Sequence, residues 1–127
     1  MSESTIKELL GLTIESTDGL SVGDSVFTMK TTCGRVFRMF HHQDCCEQVA
    51  VNRVFGSIDS IIGSPVTVVD ETDEPTNAPP YESGESHTWS QFRIETEKGY
   101  VEILWLGESN GYYGEDVSFE ELEPTHD

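Results

Sequence analysis

A chain of 127 residues fits one compact domain with a modest core, and its 24 acidic against 7 basic residues give a formal net charge of -17. The resulting negative field disfavours nonspecific binding to DNA, RNA or anionic lipid, because neutralising phosphates takes clustered Lys and Arg. No leader pattern and no apolar run approaching ~20 residues is present, so the expectation is a soluble, cytoplasmic protein with residues 1–127 as a single domain.

In chain order, Ser2 to Leu10 reads as a short helix, with a serine cap, Ile6, Leu9 and Leu10 as an apolar stripe, and Gly11 as its stop. Leu12 to Ile14 begins a strand and Asp18-Gly19 marks a turn. Alternating segments Ser25 to Met29 and Arg35 to Phe40 then flank a hairpin loop at Thr31 to Gly34. Gln48 to Phe55 carries the valines of another strand. A second short helix is expected over Ser57 to Ile62, stopped by Gly63 and Pro65, and a strand over Val66 to Val69. Asp70 to Glu85, with three prolines, six acids and no Lys or Arg, reads as a mobile acidic loop.

Thr88 to Thr96 and Tyr100 to Leu106 alternate around Lys98-Gly99, and Asn110-Gly111 is a strong turn signal leading into Tyr112 to Phe119. These three segments predict a meander, with Val101, Ile103 and Trp105 on one face and Phe92 with Ile94 on another. Residues 120–127 read as a frayed tail. The fold expected is α+β: a mainly antiparallel twisted sheet or open barrel with two short helices.

Chemistry concentrates in the heptad His41-His42-Gln43-Asp44-Cys45-Cys46-Glu47, at the end of a strand. Three cysteines, two of them adjacent, do not make the paired framework of a small secreted domain, so reduced thiols are expected and Cys33 reads as a bystander. Zinc favours thiolate and imidazole, yet strand alternation splits the heptad between two faces and no C-x-x-C knuckle is present. If a metal binds, His42, Cys46 and His87 are the candidate ligands; otherwise no cofactor is expected. A Cys-His nucleophile is disfavoured by Asp44 and Glu47, which oppose thiolate formation. With no oxyanion-hole segment or phosphate loop either, no catalysis is expected.

Asp44-Cys45-Cys46-Glu47, Ile61 to Val66, Ser86-His87-Thr88-Trp89, Gly99-Tyr100-Val101 and Ser109 to Tyr113 together resemble a family of small proteins of unknown function encoded mostly by bacteriophages and their bacterial hosts. The resemblance runs from about Gly11 to Leu122. His87 and Leu106 stand where that family usually or often has an aromatic. It implies a phage origin, hence a protein of the host cytoplasm that acts on host machinery, for instance against a defence system.

Two functions of different class follow. One is a binding protein for a small nucleotide-like ligand, its site drawn from His42, Asp44, Cys46, Arg38, Trp89, Asn110 and Tyr113, since planar bases stack on aromatic faces and phosphates need arginine. The other is an inhibitor of a host protein that uses the acidic surface, as a nucleic-acid mimic or otherwise. A zinc-binding small domain is a further alternative. No membrane and no direct nucleic-acid partner is expected, and a homo-oligomer is compatible with the sequence.

Overall fold

The computed structural model describes residues 6–43, 46–73, 75–76, 78–81, 86–111 and 114–122. Among the described residues eight strands form: β1 (Ile14–Asp18), β2 (Val26–Thr31), β3 (Val36–Phe40), β4 (Gln48–Gly56), β5 (Val68–Asp73), β6 (Ser86–Thr96), β7 (Gly99–Ser109) and β8 (Ser118–Leu122). They make two four-stranded antiparallel sheets, ordered β1-β2-β3-β8 and β4-β7-β6-β5. The fold is therefore nearly all β, which corrects the α+β expectation; the sheets are separate and form no closed barrel.

Where the two expected helices are described, they are single 3-10 turns, Ile6–Leu9 and Ile58–Ile61; Ser2 to Thr5 lie outside the described residues. Segments this short cannot offset the cost of helix nucleation. Gly11 and Gly63 adopt φ of 83° and 88° directly after them, and Ser57 makes no side-chain cap. Ile6, Leu9 and Ile61 serve instead as apolar plugs at the edge of the core.

One core cluster joins both sheets. Phe27, Met29, Phe37, Met39 and Phe119 come from the first, and Val49, Val51, Phe92, Ile94, Val101, Ile103 and Trp105 from the second. Registers Phe92↔Ile103, Ile94↔Val101 and Ser90↔Trp105 put all five meander hydrophobics on one face, correcting their assignment to two. Trp89 and Leu104, on the opposite face, are buried as well, so β6 and β7 are covered on both sides. The Phe37 and Phe119 rings stack at 5.4 Å.

The expected three-strand meander is also corrected. Gly111 has the positive φ of a tight turn, 94°, but the chain leaves the sheet there and β8 pairs with β3 in the other sheet. The meander is β5-β6-β7. Two segments read as loose are held in strands: Asp70 to Asp73 in β5, and Glu120 to Leu122 in β8. Further along the acidic segment, Tyr81 stacks on His87 at 3.9 Å and donates a 2.5 Å hydrogen bond to Glu108. Residues 82–85 and 123–127 lie outside the described residues.

Topology creates one special place. The end of β3 pairs with the start of β8 (Phe40↔Ser118), and the start of β4 pairs with the end of β7 (Gln48↔Glu108). The two connections that cross between the sheets, 41–47 and 110–117, thus leave from the same end of the sandwich.

Candidate functional site

At this crossing lies a cavity of about 330 Å³ lined by His41, His42, Gln43, Glu47, Gly114, Asp116 and Ser118, within the size range of small-molecule pockets. Strand alternation sets which side chains turn inward at this end of the sandwich. His41 continues the inward parity of Phe37 and Met39, Glu47 precedes inward Val49 and Val51, and Glu115 precedes Val117 and Phe119. Three ionisable side chains thereby enter the sandwich end on periodicities set by apolar neighbours.

His41 is buried on both sides. Its Nδ1 lies 2.6 Å from the Asp116 carbonyl oxygen and its Nε2 lies 2.6 Å from Glu47 Oε2. The side chains of His41 and Glu47 are 7% and 0% exposed. A carbonyl only accepts, so Nδ1 carries a hydrogen. The contact to Glu47 then needs a second proton between ring and carboxylate, and the pair is neutral as a unit. Burial, the largest single influence on His41, works to lower its pKa. The hydrogen bonds to Glu47 and to the Asp116 carbonyl together outweigh it and leave the pKa raised. Gln43 Nε2 donates to the Glu47 carbonyl at 2.6 Å.

A second buried carboxylate secures the other connection. Glu115 accepts hydrogen bonds from the Ser109 hydroxyl and, at 2.8 Å, from Thr88 Oγ1. Burial pushes its pKa up, but the hydroxyls of Ser109, Ser86 and Thr88 outweigh that and hold it below the usual carboxylate range. A Cβ at Gly107 would stand 2.3 Å from the Glu115 carbonyl oxygen, so only glycine allows this close approach. The hydroxyls of Ser86, Thr88 and Ser109 are thus used to hold the loop.

Beside the cavity, Arg38 and Phe40 form a ladder with cavity-lining His42 on the solvent face of the first sheet. The Arg38 guanidinium lies 4.2 Å above the Phe40 ring, whose other neighbour is the His42 ring at 4.6 Å. His42 Nε2 bonds Glu120 Oε2, while the rest of its side chain is 62% exposed.

Of the residues singled out from the sequence, His42 lines the cavity, beside the rest of the described heptad residues except Cys46. Cys46 is exposed and disulfide-bonded, against the expectation of reduced thiols, whereas Cys33 is free. Arg38 sits next to the cavity and does not line it. Trp89 is buried in β6, meeting the His87 ring edge-on at 6.4 Å, and Asn110 is exposed past the end of β7; neither lines the cavity. Asp44 and Tyr113 lie outside the described residues. Among the described residues no group of three His, Cys, Asp or Glu is placed to hold a metal, the set His42, Cys46 and His87 included.

Sequence reasoning missed Glu47 as an inward group, and also Glu115, Asp116, Ser118 and Glu120. The period-two parity with the following strand was the available signal for the two buried carboxylates. The arginines do not converge. Arg35 is paired with Glu121 at 2.8 Å and Glu8 at 3.1 Å, and Arg93 with Glu95 at 2.6 Å and Glu102 at 3.0 Å.

Among the described residues no helix is long and apolar enough to cross a membrane. No curated protein and no solved structure matches the chain. A family model does match, over residues 7–119, which takes in both crossover connections and every cavity-lining residue. The chain therefore belongs to the family described as "Domain of unknown function (DUF7448)".

Proposed function

We propose that this protein is a non-catalytic binding protein whose site is the cavity between the two crossover connections. The observation that carries the reading is preorganisation: the cavity wall is fixed by a buried His41–Glu47 pair, by the His41 bond to the Asp116 carbonyl on the other connection, and by the local Gln43 bond to the Glu47 carbonyl, so a ligand would meet polar groups already in place. Catalysis finds no free machinery in the described residues of the heptad. Both ring nitrogens of His41 are engaged, so it is no free base. Cys46 is held in a disulfide, so it is no thiolate. A second cavity, about 370 Å³ and lined by Ile6, Lys7, Val69, Asp70 and Glu71, lacks such a convergent network.

The motif set that resembles phage-encoded proteins supplies the setting: a host-directed role, such as counter-defence, exerted by sequestering a small molecule in the host cytoplasm. Calorimetric titration of the intact protein with cationic, neutral and nucleotide ligands tests it. Binding that is weakened by His42→Ala supports the reading, and the absence of heat at ~100 μM protein, where a site of ~1 μM would be plain, removes it.

A second reading, an acidic inhibitor of a host protein, draws on β5. This edge strand carries Asp70, Glu71 and Asp73 at fixed strand spacing, and burial followed by the Asp73 charge raises the Glu71 pKa. Salt-sensitive capture of one host protein, lost on replacing these acids by their amides, is the outcome it requires.

A further inference from the structure

Resting on the cavity reading, an account of donors and acceptors deepens it to a ligand class. The side-chain N–H groups of the two cavity histidines and the Gln43 amide make bonds within the protein. His41 gives Nδ1–H to the Asp116 carbonyl and shares the proton at Nε2 with Glu47. His42 gives Nε2–H to Glu120, since a carboxylate facing a ring nitrogen accepts. The Gln43 amide donates to the Glu47 carbonyl.

The side-chain groups that remain are acceptors, except the Ser118 hydroxyl, which both donates and accepts. In its neutral form His42 keeps the Nδ1 lone pair, which has no partner among the described residues. The Asp116 carboxylate is exposed and has no ion pair among the described residues. Ser118 adds a hydroxyl, and among the described residues no Lys or Arg lines the cavity. Arg38, the nearest arginine in sequence, is stacked on Phe40 outside it. A phosphate entering here would meet carboxylates and lone pairs without a compensating cation, inside the field of a chain of net charge -17.

We propose that the cavity takes a small organic cation, an ammonium or guanidinium compound whose N–H groups are received by the Asp116 carboxylate and His42 Nδ1. This replaces the nucleotide-like ligand expected from the sequence with one of opposite charge. The Asp116 side chain is the specificity-determining group, because its backbone carbonyl holds His41 while its carboxylate faces solvent.

The test is calorimetric titration of the full chain with agmatine, which carries both cation types, and in parallel with AMP, using wild type, Asp116→Asn and His42→Ala. Asp116→Asn keeps the backbone carbonyl that accepts from His41, so its urea midpoint should match wild type and separate lost binding from lost folding. The expected result is agmatine binding that Asp116→Asn weakens by roughly tenfold, about the loss of one charge-assisted contact, with no heat from AMP. Binding of AMP but not agmatine, reduced by His42→Ala, would leave the cavity as a binding site and overturn the cation proposal. Agmatine binding unchanged in both variants would likewise overturn it, and heat from neither probe would remove the proposal together with the cavity reading.

Discussion

His41 offers the sharpest energetic test, because one imidazole ties both crossover connections together. Replacing it by alanine leaves the Glu47 carboxylate, 0% exposed, without its partner and frees the Asp116 carbonyl. Breaking a buried ion pair from one side costs about 3 to 5 kcal/mol, a large fraction of the roughly 5 to 15 kcal/mol that holds a domain folded. Glu47→Gln should behave differently. A glutamine amide can donate to the neutral Nε2 while Nδ1–H still serves Asp116, so the cost should be about 1 kcal/mol, that of an ordinary hydrogen bond.

The two variants also differ in pH dependence. A histidine whose folded pKa is raised contributes stability that is complete below its unfolded value, about 6.5, and is lost as pH rises through the folded value. His41 is raised by Glu47 and Asp116 against the opposing effect of burial, so wild type should lose stability on the alkaline side relative to Glu47→Gln. Urea unfolding of wild type and both variants at several pH values between 6 and 9 measures all of this. Equal losses in His41→Ala and Glu47→Gln, or a wild-type minus Glu47→Gln difference that does not change with pH, would refute the protonated-pair argument.

Three other outcomes follow from the same geometry. Glu115→Ala should cost about 2 to 3 kcal/mol, since it removes charge-assisted bonds to the buried Ser109 hydroxyl and the half-buried Thr88 hydroxyl. Because the Glu115 pKa is lowered, its contribution should be present above the unfolded value and vanish as pH falls through the folded one, which acid titration of wild type against the variant reads directly. Gly107→Ala should destabilise by about 1 to 3 kcal/mol through overpacking against the Glu115 backbone, whereas Ala50→Gly on neighbouring β4, where no close approach is involved, should cost about 1 kcal/mol or less; thermal unfolding compares them. Alkylation without reductant, followed by peptide mass mapping, should label Cys33, whose thiol pKa is lowered first by the Thr31 hydroxyl bond, and leave Cys46 unlabelled until a reductant is added.

Much of the strand content was legible, because half-buried strands write period two into the sequence: Phe27 and Met29, Phe37 and Met39, Val49 and Val51 all point inward. Local signals end where partner choice begins. Asn110-Gly111 announces a turn, but whether the next strand returns to β7 or joins β3 depends on Phe119 finding Phe37 and on Glu115 docking against β6 and β7. The helices were misread for the opposite reason, since apolar spacing and capping residues are read locally whereas a single turn is held by the core it plugs.

The site was legible as a place and less so as a set of groups. The heptad drew notice by composition, yet among 24 acidic residues nothing in residue type distinguishes Glu47 and Glu115 from the solvated rest. Their parity with Val49 and Val117 does, once those valines are known to face inward. The aromatic residues suggested a stacking pocket, but Trp89 is buried by sheet packing, and a buried ring in a strand looks the same in sequence as a ligand platform.

Backbone amide chemical-shift mapping during titration with agmatine tests the central claim most directly. The account predicts saturable shifts confined to His41, His42, Gln43, Glu47 and residues 114–118, with a midpoint at roughly tenfold higher agmatine in Asp116→Asn. Shifts centred instead on Ile6, Lys7 and Val69 to Glu71, or spread evenly over the acidic surface and abolished by salt, would contradict it.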